Sequence, residues 1–113
     1  MSKREVVMSP AARDGLTVLG QQIRIARTER RWTLKDVATR ALISVPTLRA
    51  IEEGAPGTAV GTVFHVAGLV GIPIFGIEDR TELARRRRQG EDTLALLPER
   101  VRTAGLGQVR DDF

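Results

Sequence analysis

From Leu16 onward, apolar side chains return at steps of three and four. Leu16, Leu19, Ile23 and Ala26 fall on one face of an amphipathic helix, with Asp14 as its predicted N-cap. The other side of that helix carries Arg24, Arg27 and Arg31, a basic stripe whose plain reading is a solvated face and whose sharper reading is a phosphate clamp. Thr33 followed by Asp36 resembles a capping box and opens a second helix, with Leu34, Val37, Ala38 and Ala41 facing inward. After a short break at Leu42 and Ile43, Ser44 is the predicted N-cap of a third helix. With Pro46 lacking an N–H at the second helical position, the Ser44 hydroxyl can cap only the Thr47 amide. Leu48 and Ile51 face inward, and Gly54 suits the stop.

Val60, Val63, Phe64 and Ala67 repeat with helical spacing and predict a fourth helix ending at Gly71. The segment IPIFGI (72–77) has extended character, because Pro73 disfavours helix at Ile72 and β-branched and aromatic residues follow. Beyond it lie a charged stretch (80–92), a short apolar segment with basic residues, TLALLPERVR (93–102), and a Gly-containing end. The organisation expected is a flexible arm over 1–12 with Lys3 and Arg4, a folded domain over 13–79, and a basic, partly flexible tail over 80–113. The fold class expected is all-α, a compact four- to five-helix bundle with room for a short β-strand after the fourth helix.

Composition narrows the chemistry. The 113 residues include 18 Lys and Arg against 14 Asp and Glu, a formal charge of +4, and a pI near 10.9. Hydrophobic residues make up 42%, enough for one modest core and too many for a disordered polyelectrolyte. No cysteine is present, which excludes disulfides, thiolate metal sites and a cysteine nucleophile. A single histidine, His65, makes no multi-histidine metal site, and no carboxylate pair or Gly-rich phosphate loop stands out. The expectation is therefore no enzyme, no metal and no cofactor. The greasiest stretch (59–77) contains Thr62, His65, Pro73 and glycines, which does not suit a spanning helix, and no signal peptide is legible near the N-terminus. A cytoplasmic location follows as an expectation.

Two short helices over 33–41 and 44–53 with a tight connection define a helix-turn-helix. A major groove about 12 Å wide admits one α-helix, whose N-terminal residues meet base edges while the preceding helix crosses the backbone. The outward residues of the third helix would be Ser44, Val45, Pro46, Arg49 and Ala50, of which Arg49 alone can grip guanine through two hydrogen bonds. Val45 could touch a thymine methyl, and Thr33, Lys35 and Thr47 would hold phosphates.

These residues resemble a known family. The stretch LGQQIRIARTERRWTLKDVATRALISVPTLRAIEEG (19–54) is similar to the Cro/cI-type (XRE) helix-turn-helix signature, with a lambda-repressor-like fold. More narrowly, residues 40–72 together with LPERVR (97–102) resemble HipB-type antitoxins. The resemblance implies a five-helix homodimer that binds an inverted repeat of double-stranded DNA in its own promoter and holds a HipA-like kinase toxin. It puts base reading on Ser44, Val45, Pro46 and Arg49, and a structural ion pair on Arg27 and Glu52. It also implies that a strand at 72–77 pairs across the two-fold, so that Ile72, Ile74, Phe75 and Ile77 form the dimer interface. Two positions depart from the pattern. Leu34 stands where many members have Gln, and Leu42 stands at a turn position usually held by Gly, where a positive φ is costly.

Plainer readings stand beside these. Trp32 suits a core plug between helices, His65 a structural or exposed site, the four arginines at 85–88 a solubilising segment, and LPERVR either a tail or a partner-docking strand. A folded part of about 60 residues buries only ~60% of its chain surface, which favours self-association. A two-fold dimer would set two reading helices about 34 Å apart. The competing functions are an autoregulating antitoxin-repressor, a mainly protein-binding antitoxin with weak DNA affinity, and a stand-alone repressor without a toxin partner.

Overall fold

The computed structural model describes residues 6–100. Lys3 and Arg4 of the expected arm, the last two residues of LPERVR, and the Gly-containing end lie outside them. Five helices follow one another: α1 (Pro10–Glu29), α2 (Leu34–Ala41), α3 (Val45–Glu52), α4 (Val60–Leu69) and α5 (Arg80–Leu96). The chain divides into two units, Met1–Glu78 with α1 to α4 and Asp79–Phe113 with α5.

Helix α1 starts earlier than the periodicity suggests. Ser9 is its N-cap and accepts a 3.1 Å hydrogen bond from the Ala12 amide. Pro10 occupies the first turn, where its fixed φ fits the helix and its missing N–H costs nothing. Asp14 therefore lies inside the helix, and residues 10–12 belong to it rather than to an arm. Helices α2 and α3 are likewise capped by local side chains, whereas α4 starts at Ala59 without a side-chain cap. Thr33 Oγ1 accepts from the Asp36 amide at 3.0 Å while the Asp36 carboxylate accepts from the Thr33 amide at 2.8 Å. Those hydrogen bonds from Thr33 hold the Asp36 carboxyl below its ordinary value.

Helices α1 to α4 all end in the same way. Arg31 (φ 59°), Leu42 (φ 60°), Gly54 (φ 74°) and Gly71 (φ 87°) adopt the left-handed conformation. The amide of the next residue then reaches back five positions: Trp32 to the Arg27 carbonyl (3.1 Å), Ile43 to Ala38 (3.0 Å), Ala55 to Ala50 (2.9 Å) and Ile72 to Ala67 (2.9 Å). This closure satisfies orphan carbonyls and delivers Trp32, Ile43 and Ile72 onto the core. Leu42 and Arg31 accept left-handed strain of about 1–2 kcal/mol each, which burial of the following residue offsets.

The core of the first unit consists of Ile23, Val37, Ala38, Ala41, Leu48, Ile51, Val63, Val66, Ala67 and Val70, all buried. Gly20 lets α1 close on the end of α3, since a Cβ there would stand 2.6 Å from the carbonyl oxygens of Ile51 and Glu52. The expected strand after α4 is a turn instead. Phe75 (φ 57°) and Gly76 (φ 70°) are both left-handed, and the Ile77 amide returns to the Ile74 carbonyl at 3.0 Å. Two consecutive positive φ values reverse the chain within four residues, as in a type I′ turn, and leave only a bridge between Ile74 and Ile77. Phe75 packs edge-to-face on Phe64, with ring centroids 6.0 Å apart.

In the second unit, the segment expected as a tail is helical over Arg80–Leu96. Asp79 caps it, accepting from the Thr81 amide at 3.0 Å. Glu82 pairs with Arg85 (2.8 Å) and Arg86 (3.2 Å), and Arg87 pairs with Glu91 (2.6 Å). Pairs at three- and four-residue spacing hold a polar helix together, and they occupy most of the arginine run. The hydrogen bond from Arg85 draws the Glu82 carboxyl below its ordinary value.

Candidate nucleic-acid interface

Residues 42–44 alone connect α2 to α3. That tight link is set by the left-handed Leu42 on one side and the Ser44 cap on the other, whose hydroxyl accepts from the Thr47 amide at 3.2 Å. With Pro46 in the first turn of α3, Thr47 supplies the amide that Ser44 caps.

The orientation of α3 is fixed from behind by charge. Arg27 donates from Nε to Glu52 Oε2 at 2.6 Å and from Nη2 to Oε1 at 3.1 Å. Its Nη1 also bonds the Trp32 carbonyl at 2.9 Å. One guanidinium thus ties α1, the α1–α2 turn and the end of α3 together. The two side chains are only 12% and 6% exposed, so their charges are withdrawn from water and matched to each other. Arg27 accordingly leaves the basic stripe on α1. Arg31 leaves it too, because the helix ends at Glu29 and Arg31 sits in the closing turn.

Outward from this brace, Ser44, Pro46, Thr47 and Arg49 are exposed. Val45 is half-buried and packs against the core, which turns it away from the expected base-reading set. Val45, the first residue of α3, lies two positions after Ile43, and both side chains pack against the core. Arg49 lines a recess of about 270 Å³ with Arg24, Arg27, Leu34, Glu52 and Glu53. The exposed Thr33 and Lys35 lie at the start of α2, although the Thr33 hydroxyl is already engaged in the capping box. Glu53 next to Arg49 is not singled out by the sequence pattern.

Trp32 is a core plug with a charged collar that the sequence pattern does not signal. The Arg40 guanidinium lies 4.2 Å from its ring centroid and that of Arg30 lies 5.8 Å away. Of the expected dimer residues, Ile72 packs against the core, Ile74 and Ile77 are half-buried around the turn, and Phe75 is 78% exposed.

Residues 22–73 match a family described as a helix-turn-helix domain, a little under half of the chain. No curated protein and no solved structure matches the chain. The chain is thus an all-α protein with a helix-turn-helix domain, and that class supports a DNA-binding regulator. Among the described residues, no helix is long and apolar enough to cross a membrane.

Proposed function

We propose that this chain is a sequence-specific double-stranded DNA-binding transcriptional repressor that acts as a cytoplasmic homodimer on an inverted repeat. In the fuller form of the proposal it is the HipB-like antitoxin of a HipA-type kinase toxin, controlling its own operon. The observation that carries the DNA reading is Arg49. It is an exposed guanidinium on a helix whose N-terminus is capped by Ser44 and whose far end is clamped by Arg27 and Glu52. A rigid rod of this kind, entered through a short turn, suits a major groove, where Arg49 would bond guanine O6 and N7. Lys35 and Thr47 would take phosphates. The antitoxin part rests on the resemblance over residues 40–72 and LPERVR. The dimer part is supported by the exposed Phe75 beside Phe64, an apolar pair open to a partner.

The test is a gel-shift with the DNA upstream of the chain's own gene, with and without the adjacent gene product. Specific retardation that Arg49→Ala weakens by about 1–3 kcal/mol per recognised base pair supports the repressor. A supershift by a neighbouring kinase-like protein supports the antitoxin. Equal binding of wild type and Arg49→Ala would remove the assignment of Arg49. Tight binding to the neighbour without specific DNA binding would favour the protein-binding reading.

A further inference from the structure

We infer that the surface around Trp32, where Arg30, Arg31 and Arg40 gather, docks an acidic segment of a partner protein. This goes beyond the DNA-binding reading and stands without it. Trp32 is the one tryptophan of the chain, and two guanidiniums attend its ring, Arg40 at 4.2 Å from the centroid and Arg30 at 5.8 Å. Arg30 is held in place from its own helix and from α4. Its Nη1 donates to the Ala26 carbonyl at 3.3 Å, and Gly71 leaves room for its Nη2, since a Cβ at Gly71 would stand 2.5 Å from that atom. Arg31, exposed in the turn between α1 and α2, adds a third cation.

What these three arginines lack is a counter-charge. The ion pairs among the described residues engage Arg27, Arg85, Arg86 and Arg87, and none of the three. Asp36, four positions before Arg40, already accepts from the Thr33 amide. Like charges gathered on one exposed surface repel each other, and carboxylates supplied from outside relieve that repulsion. Stacking prepares Arg40 for such a group. A guanidinium over an indole spends its face on the ring and keeps its N–H edge for a carboxylate fork. Direction separates this surface from the proposed phosphate contacts. Lys35 and Arg40 are five positions apart on α2, about 140° around the helix. They lie on opposite flanks of the buried stripe of Val37, Ala38 and Ala41. A duplex gripped through Lys35 therefore leaves Arg40 and Trp32 to a different, protein partner.

The experiment titrates the full chain with a hexaglutamate peptide and follows the emission of Trp32, which reports on this surface alone because no other tryptophan exists. The emission should change along a saturable curve whose midpoint rises with salt. Arg40→Ala should raise that midpoint about fivefold, the upper end for one exposed ion pair. Arg40→Lys, which keeps the charge and loses the flat stack, should fall between it and wild type. Arg88→Ala, in the other unit, should leave the midpoint within twofold. In parallel, the same variants are titrated with the duplex upstream of the chain's own gene, where Arg40→Ala should bind as wild type does. An unchanged Trp32 emission, or equal midpoints for wild type and Arg40→Ala, overturns the docking surface. So does a uniform loss of duplex binding in Arg40→Ala with a shallower salt slope, which would make Arg40 a phosphate contact. If the wild type binds no duplex specifically, the DNA-binding reading fails and the peptide titration still decides this one.

Discussion

Arg27 and Glu52, separated by 25 positions, meet as a two-bond ion pair that joins α1 to the end of α3. Both side chains are largely withdrawn from water, and Arg27 spends its third nitrogen on the Trp32 carbonyl. The pair therefore governs both the stability of the domain and the angle at which α3 is presented.

Removing one member leaves the other charge buried and alone. Glu52→Ala should lower unfolding stability by about 3–5 kcal/mol in urea titration. The double replacement Arg27→Met with Glu52→Leu should recover most of that loss, because apolar pairs of similar volume often substitute for buried ions. If the double variant is no more stable than Glu52→Ala, the loss comes from packing rather than from charge.

Gly20 tests the α1–α3 crossing. A methyl group there meets two backbone carbonyls, which cannot rotate away as a side chain would. Gly20→Ala should cost about 1–3 kcal/mol despite the better helix propensity of alanine, and thermal melting reads the sign directly. Gly15→Ala in the same helix, where nothing stands within 4 Å, should be neutral or stabilising.

At Leu42 the strain and the side chain can be separated. Leu42→Gly relieves about 1 kcal/mol of left-handed strain and loosens the unfolded chain, so its melting temperature should not fall. Leu42→Val, β-branched at the same positive φ, should be destabilised by more than about 1 kcal/mol. Equal melting of the wild type and both variants would mean that the turn relaxes freely.

The Asp36 capping box gives a pH dependence of known sign. Its folded carboxyl lies below the unfolded value, so its contribution is complete above the ordinary carboxylate range and disappears as pH falls through the lowered value. Acid unfolding of Asp36→Ala should lack that part of the slope, and the difference between variant and wild type should shrink as the pH is lowered. A constant difference down to the acid limit would contradict a titrating cap.

Phosphate contact by Lys35 predicts a salt effect. Lys35→Ala should weaken binding to specific and unrelated duplexes alike and reduce the slope of log affinity against log salt by about 1. A change confined to one sequence would identify Lys35 as a base reader instead.

What could be read along the chain was what neighbours decide. Thr33 with Asp36 and Ser44 with Thr47 are contacts between residues three apart, so cap and helix were legible together. The same holds for the inward face of α2; on α4 the period marked the helix but not its face, since Val60 and Phe64 are exposed while Val66 is buried. Other features depend on partners far away in sequence or on neighbours outside the periodic pattern. Asp14 looked like a cap because Ser9 and Pro10 lie before the periodic residues begin. The turn at 74–77 looked extended because Ile74, Phe75 and Ile77 favour strands in composition, whereas the left-handed Phe75 seats its ring on Phe64. The helix at Arg80–Leu96 looked like a solvated tail because its support comes from charge pairs rather than from an apolar stripe.

By itself the sequence determined an all-α protein with two short capped helices joined by a tight turn, because periodicity and capping act within a few residues. Only the tertiary structure decided that Val45 turns inward, that Arg27 is taken from the basic face to meet Glu52, and that Arg49 is left outward, lining a recess with Arg24, Leu34 and Glu53. The physical reason is that a side chain's role depends on what occupies the space beside it. For a charge, burial becomes tolerable only when its opposite arrives from another helix.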